Sequence, residues 1–134
     1  GRFSTIDWVP IRYFYKSLPY EEVIAHYAVA DVGWITPLRD GLNMVAKEYV
    51  AAKHATGEDG VLVLSEFAGA AAELHGAMLT NPYDPQQMAD DLHSALSMPK
   101  DERHARMATM FDIVAANNIE YWGYEFLAAV DNRL

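Results

Sequence analysis

The sequence predicts an α/β fold in which a parallel sheet is flanked by helices. Three observations carry this expectation. Short apolar runs at Ile11–Tyr15, Val32–Ile35, Val61–Leu64 and Ala77–Thr80 alternate with stretches whose apolar residues recur at helical spacing. Val61–Leu64 is apolar without a break, as expected of a strand covered on both faces. A turn through Thr36, Pro37 and Leu38 and then Arg39-Asp40-Gly41 leads from the second run into a segment with Leu42, Val45, Ala46, Tyr49 and Val50 at helical spacing. Such a strand–loop–helix junction lies at the carboxyl end of a strand, where ligands bind in open α/β sheets.

The elements follow in order. Ile11–Tyr15 is rich in β-formers and reads as a first strand. Ser17 is a candidate N-cap and Pro19 is tolerated in a first helical turn. The helix predicted from about Tyr20 to Ala30 places Val23, Ile24, Tyr27 and Ala28 inward and Glu21 and Glu22 at its positive end. Val32–Ile35 is the second strand, and the helix after Gly41 is expected to end near Lys53. His54–Gly60 has the composition of a surface loop. After the Val61–Leu64 strand, the small residues of Ala68–Leu74 suit a helix packed closely on the sheet. Ala77–Thr80 is a last short strand, broken by Asn81-Pro82. Asp84 caps and Pro85 opens a helix to Met98. Pro99 starts another, through Ala116, with Met107, Met110, Phe111 and Val114 on one face. Asn117 or Asn118 can cap a final helix, Ile119–Val130, bearing Tyr121, Trp122 and Phe126.

With 134 residues, 51% of them hydrophobic, the chain suffices for one domain with a real core. Its formal charge of -9 has no Lys/Arg cluster to offset it, which argues against nucleic acid and anionic membranes as partners. An anionic small ligand stays open, because helix-end amides supply a local positive field. There is no cysteine, hence no disulfide framework or thiolate metal site. No apolar run approaches the roughly 18 residues of a membrane span and no signal peptide is visible, so the chain reads as cytoplasmic. His26, His54, His75, His93 and His104 show neither His-x3-His nor HExxH spacing, and no metal site is indicated. Ser65 lacks a G-x-S-x-G context, and neither a dinucleotide fingerprint nor a P-loop is present. Lys100–Arg103 reads as a solvated helix start, and Lys47 as an exposed helix residue.

The chemistry concentrates around Arg39–Glu48. The first turn of a helix has amides without intrahelical partners and about half a positive charge, so it accepts phosphate or sugar oxygens. Gly41 lets a ligand approach the main chain, and φ > 0 is accessible to it. Seven residues separate Asp40 from Glu48, so Asp40 could meet a ligand head-on while Glu48 reaches a more distant part. Carboxylates accept hydrogen bonds from hydroxyls, as a sugar or ribose requires. The same residues admit a plainer reading, with Asp40 capping the helix and Glu48 a solvated or ion-paired helix residue. Gly69 is similarly open, as a close-packing residue or as backbone approaching ligand phosphates around Ser65–Gly69.

The stretch Thr36–Ala52 resembles the donor-site signature of the trehalose-6-phosphate synthase family of retaining glucosyltransferases, to which glucosylglycerol-phosphate synthases also belong. The likeness continues through Val61–Leu74 and Asn81–Asp84 and covers nearly the whole chain. It implies a Rossmann-like portion of the second domain of a GT-B glycosyltransferase. Residues 1–98 would be the nucleotide-sugar-binding portion and 99–134 helices crossing back towards an N-terminal domain of the same enzyme, which binds the acceptor. The start at Gly1, without an initiator Met, looks like a piece cut from a longer protein, and the piece alone is expected to be inactive.

By this resemblance, UDP- or ADP-glucose is the donor and a phosphorylated small molecule the acceptor. Asp40 would be the catalytic residue, hydrogen-bonding the glucose hydroxyls. The amides of Gly41, Leu42 and Asn43 would meet the sugar, those of Met44 and Val45 the distal phosphate, and Glu48 the ribose hydroxyls. Arg39 could steady the loop or the pyrophosphate, and Leu18 and its neighbours would contact the base. No cofactor or metal is implied. A non-catalytic nucleotide-sugar-binding or regulatory module is the alternative. The Leu42 and Met44 positions are interchanged relative to many trehalose-type members, a swap that conserves volume. Trp34–Pro37 and Trp8–Arg12 lean the pattern towards the glucosylglycerol-phosphate branch.

Overall fold

The computed structural model describes residues 1–118 and Ala128. Its sheet has three parallel strands, β1 (Val32–Ile35), β2 (Val61–Ser65) and β3 (Met78–Thr80), in the order β1-β2-β3. Val32 pairs with Val61 and Ile35 with Leu64; on the other edge Val63 pairs with Met78 and Ser65 with Thr80. Four helices surround it: α1 (Tyr20–Val29), α2 (Met44–Thr56), α3 (Pro85–Leu96) and α4 (Lys100–Ala116). A 3₁₀ turn, Gly69–Ala72, follows β2 in place of the longer helix expected over 68–74.

The central strand explains the layering. Every residue of β2 is buried, and alternation sends its side chains to opposite faces. Leu62 and Leu64 enter the larger core with Tyr49, Val50, Leu74, Met107 and Met110, under α2 and α4. Val61 and Val63 join Ala95 on the other face, flanked by Val32, Met78 and Met98. The unbroken apolar run of β2 is the consequence of covering on both sides. The Met107 and Met110 stripe of α4 lies in the main core, with Phe111 and Val114 packed at its margin.

The expected strand at Ile11–Tyr15 is not formed. Those residues belong to no strand or helix, and Ile11, Tyr13 and Tyr15 are each about four-fifths or more exposed. β-Forming side chains need a neighbouring ladder to satisfy their backbone groups, and no strand among the described residues lies beside them. Ser17 does not cap α1 either; Pro19 occupies the N-cap position without a side-chain hydrogen bond. By contrast Asp84 caps α3, accepting from the Gln87 amide at 3.1 Å with Pro85 in the first turn. The predicted helix Ile119–Val130, with Trp122 and Phe126, lies outside the described residues except for Ala128. No described helix is long and apolar enough to cross a membrane.

Candidate functional site

At the carboxyl end of β1 the chain turns through 36–43 and enters α2. The helix starts at Met44, and its cap is Asn43, not Asp40. Asn43 adopts a left-handed conformation (φ 61°) that Asn tolerates better than most residues. Its Oδ1 accepts from the Ala46 amide at 3.0 Å, while its Nδ2 donates to Asp40 Oδ2 at 3.1 Å. Asp40 Oδ1 accepts from the amides of Leu42 and Asn43, each at 3.1 Å. The Asp40 carboxylate is thus folded back on its own loop, three residues ahead of the helix. Asn is among the best N-cap residues, so the residue type at 43 is itself a cap signal, and the adjacent Asp-Gly pair masks it.

A second segment supports this loop. The Asp40 amide donates to the Phe67 carbonyl at 3.4 Å, and the amides of Gly69 and Ala70 donate to the carbonyls of Asp40 and Leu42 at 2.8 and 2.9 Å. Asp40 and Ala68 form a parallel bridge. A Cβ on Gly69 would overlap the Gly41 carbonyl oxygen and lie 2.6 Å from its carbon. Gly69 therefore permits two backbones to touch: it is a close-packing residue, packed on the 40–42 loop and not on the sheet. Gly41 presents the opposite situation. A Cβ there would meet nothing within 4 Å, and its φ is not positive, so it leaves room beside the main chain without using a left-handed turn.

The outcome is an open helix start. Leu42, Met44 and Val45 are exposed, and no hydrogen bond to an acceptor among the described residues engages the amides of Gly41, Met44 or Val45. Glu48 follows Met44 by four residues and Val45 by three, on the same helix face. It is half-buried, and its Oε2 accepts a long hydrogen bond of 3.4 Å from the Tyr27 hydroxyl. Burial, then the Glu48 charge, raise the Tyr27 pKa above its usual 10.0. Lys47 is half-buried and pairs with Glu73 at 2.7 Å, correcting its reading as an exposed residue. Arg39 is exposed and Leu18 is half-buried just ahead of α1; the hydrogen bonds that build the loop involve neither. Among the described residues no group of three or more His, Asp or Glu side chains is placed to hold a metal ion.

A cleft of about 350 Å³ opens at the other end of α2, lined by Lys53, His54, Gly57, His104, Phe111 and Asp112 among others. It is remote in sequence and topology from the Asp40 loop, at the end of the sheet where the strands begin. Unengaged amides at a helix start are groups suited to an anionic ligand, which makes that end the candidate site.

Known proteins agree with the fold and carry the comparison to nearly full length. The model of Glycosyltransferase family 20 matches residues 1–132. The chain is similar to the glucosylglycerol-phosphate synthase of Pseudomonas anguilliseptica, 62% identical over 132 residues, 98% of this chain and 18% of that protein. Among solved structures it superposes with a TM-score of 0.89 on an alpha,alpha-trehalose-phosphate synthase (UDP-forming) from Burkholderia xenovorans in complex with glucose-6-phosphate; the identity is 46%, over 98% of this chain and 29% of that one. A trehalose-6-phosphate enzyme from E. coli bound with UDP-2-fluoro glucose matches with a TM-score of 0.88 and 42% identity, over 96% of this chain and 28% of that one. The chain therefore belongs to glycosyltransferase family 20, and it spans less than a third of the length of these relatives.

Proposed function

We propose that, within this family, the chain is the donor-binding part of a retaining glucosyltransferase that moves glucose from a nucleotide-glucose, UDP- or ADP-glucose, to a phosphorylated acceptor. Glycerol phosphate is favoured over glucose-6-phosphate as that acceptor. The observation that carries the reading is the open start of α2, where the amides of Gly41, Met44 and Val45 are left without a hydrogen-bond acceptor among the described residues, close in sequence to the Asp40 carboxylate. A relative solved with UDP-2-fluoro glucose and another with glucose-6-phosphate support the donor and acceptor classes. The lean towards glycerol phosphate rests on the 62% identity to a glucosylglycerol-phosphate synthase, against 46% and 42% to the two trehalose-type structures.

Asp40 takes the glucose hydroxyls. In the structure its Oδ1 already engages the amides of Leu42 and Asn43, so sugar binding exchanges these internal bonds for hydroxyls and frees both amides towards the ligand. Met44 and Val45 meet the distal phosphate. Negative charge that grows on the departing diphosphate then falls on dipoles already aimed at it, the arrangement that lowers a barrier without reorganisation. Glu48 holds the ribose hydroxyls in exchange for its long bond to Tyr27. Leu18 lies towards the base and Arg39 towards the pyrophosphate. Transfer proceeds without a metal, in the cytoplasm, with the acceptor bound by a domain outside this chain; the chain alone does not turn over.

The test is to incubate the full-length protein containing this segment with UDP-glucose or ADP-glucose and with glycerol-3-phosphate or glucose-6-phosphate, with and without a chelator. Products are identified by mass. Glucosylated glycerol phosphate supports the reading. A trehalose phosphate product alone would overturn the acceptor assignment. Donor binding without any product would favour a regulatory module.

A further inference from the structure

We propose that Gly69 is a positioning residue that aims the donor-loop amides, acting through the main chain of Asp40–Leu42. The inference rests on the reading that this loop binds the donor. Its argument starts from peptide planarity. In a trans peptide the carbonyl of one residue and the amide of the next point in opposite directions. The Asp40 carbonyl accepts from Gly69 at 2.8 Å, so the Gly41 amide points away from the supporting segment. A Cβ on Gly41 would itself meet no atom within 4 Å, so there is open space beside this residue. The Leu42 carbonyl accepts from Ala70 at 2.9 Å, so the Asn43 amide is turned away as well, and it meets Asp40 Oδ1 at 3.1 Å. Two hydrogen bonds from one segment therefore set the direction of two amides on another.

Only glycine at position 69 permits that approach. Its absent Cβ would overlap the Gly41 carbonyl oxygen, with the Gly41 carbonyl carbon at 2.6 Å and Leu42 Cα at 3.2 Å. All three obstacles are backbone, so no side-chain rotation relieves them. A methyl group at 69 must push the 40–42 loop outward or rotate its peptide planes. β2, which enters the segment from its buried side, offers no slack: Leu62, Val63, Leu64 and Ser65 are fully buried. The displacement falls on the loop.

The experiment compares wild-type and Gly69→Ala full-length enzymes by donor KM, acceptor KM and peptide-resolved hydrogen exchange, with the β2 peptide 61–65 as the internal check of folding. The expected result is faster exchange in residues 39–43 with β2 protection kept. Donor KM should rise roughly tenfold to a hundredfold, the scale of a displacement of about 1 Å in a binding group. Acceptor KM should not change. Unaltered exchange in 39–43 together with unaltered donor KM would overturn the inference. So would loss of activity in simple proportion to loss of folded protein. If wild-type enzyme uses neither UDP-glucose nor ADP-glucose, the donor reading fails; the loop-aiming role is then decided by the exchange data alone. Should Gly69→Ala not fold, the wild type decides: with UDP-glucose or ADP-glucose added and no acceptor present, protection should increase at Gly41 while Gly69 and Ala70 are already protected without ligand. The opposite pattern would overturn the inference.

Discussion

The two ends of α2 are built from similar polar material and put it to opposite uses. At its last turns Lys53 is almost fully buried and its Nζ donates to the Ala28 carbonyl at 2.8 Å; from mid-helix the Tyr49 side chain reaches the same end beside Gly60, where its hydroxyl donates to the Ala30 carbonyl at 3.0 Å. Gly57 closes the helix in a left-handed conformation (φ 69°), its amide donating to the His54 carbonyl. Burial pushes the Lys53 pKa down, against the opposing pull of Asp31, Glu58 and Asp59, and pushes the Tyr49 pKa strongly up. Polar groups there are consumed by the fold, tying α2 to the end of α1. At the first turn the amides of Gly41, Met44 and Val45 have no acceptor among the described residues, and Asp40 is held by its own loop. The difference teaches where to look for ligand chemistry: at the end whose hydrogen-bonding groups the fold orients without consuming.

Substitutions at the two ends should separate activity from stability. The largest effect is expected for Asp40→Ala in the full-length enzyme, a fall in kcat of roughly 10²–10³-fold, the usual loss for one preorganised polar group at a reacting centre. A thermal melt beside the kinetics would show only a modest change in Tm, since the bonds to Asp40 are local. A fall in activity matched by loss of folded protein would assign Asp40 to the loop's architecture alone. Glu48→Gln comes next. Loss of charge-assisted hydrogen bonds of about 1.5–3 kcal/mol corresponds to roughly ten- to a hundredfold weaker donor binding, measurable by titration with UDP-glucose and ADP-glucose. Loss of kcat with unchanged donor affinity would remove Glu48 from the ribose role.

Tyr49→Phe tests the other end. It leaves the Ala30 carbonyl without its partner and should cost about 1–2 kcal/mol in denaturant unfolding, with donor KM unchanged. The smallest effect is a pH dependence. Tyr49 and Tyr27 have folded pKa values raised above 10.0, so each phenol's contribution is fully present below pH 10. It is lost as pH rises above 10, where the unfolded chain ionises first. Stability should therefore fall above pH 10, and Tyr49→Phe should flatten that fall. An identical alkaline slope in wild type and variant would show that Tyr49 does not carry it.

Much of this is legible in the residues. The unbroken Val61–Leu64 run announces a doubly covered strand, and Asp84-Pro85 announces a helix start, because in both cases the signal is local and complete. The Asp40–Glu48 stretch stands out as the candidate ligand end for the same reason. Ile11–Tyr15 misleads because β propensity says nothing about whether a partner strand lies alongside. The Gly69 contact and the Tyr27–Glu48 hydrogen bond are hidden because each joins residues more than twenty positions apart, a pairing that only the folded sheet brings about. Asn43 is visible as a cap type, but its carboxamide's link to Asp40 depends on a left-handed backbone that no pattern of residue types specifies.

The most direct test of the central claim is calorimetric titration of UDP-glucose and ADP-glucose into full-length wild type, Asp40→Ala and Tyr49→Phe under one set of conditions. The account expects at least one donor to bind the wild type and Tyr49→Phe with equal affinity, and Asp40→Ala to bind it clearly more weakly. Binding weakened by Tyr49→Phe and untouched by Asp40→Ala would place the ligand at the other end of the helix and contradict it.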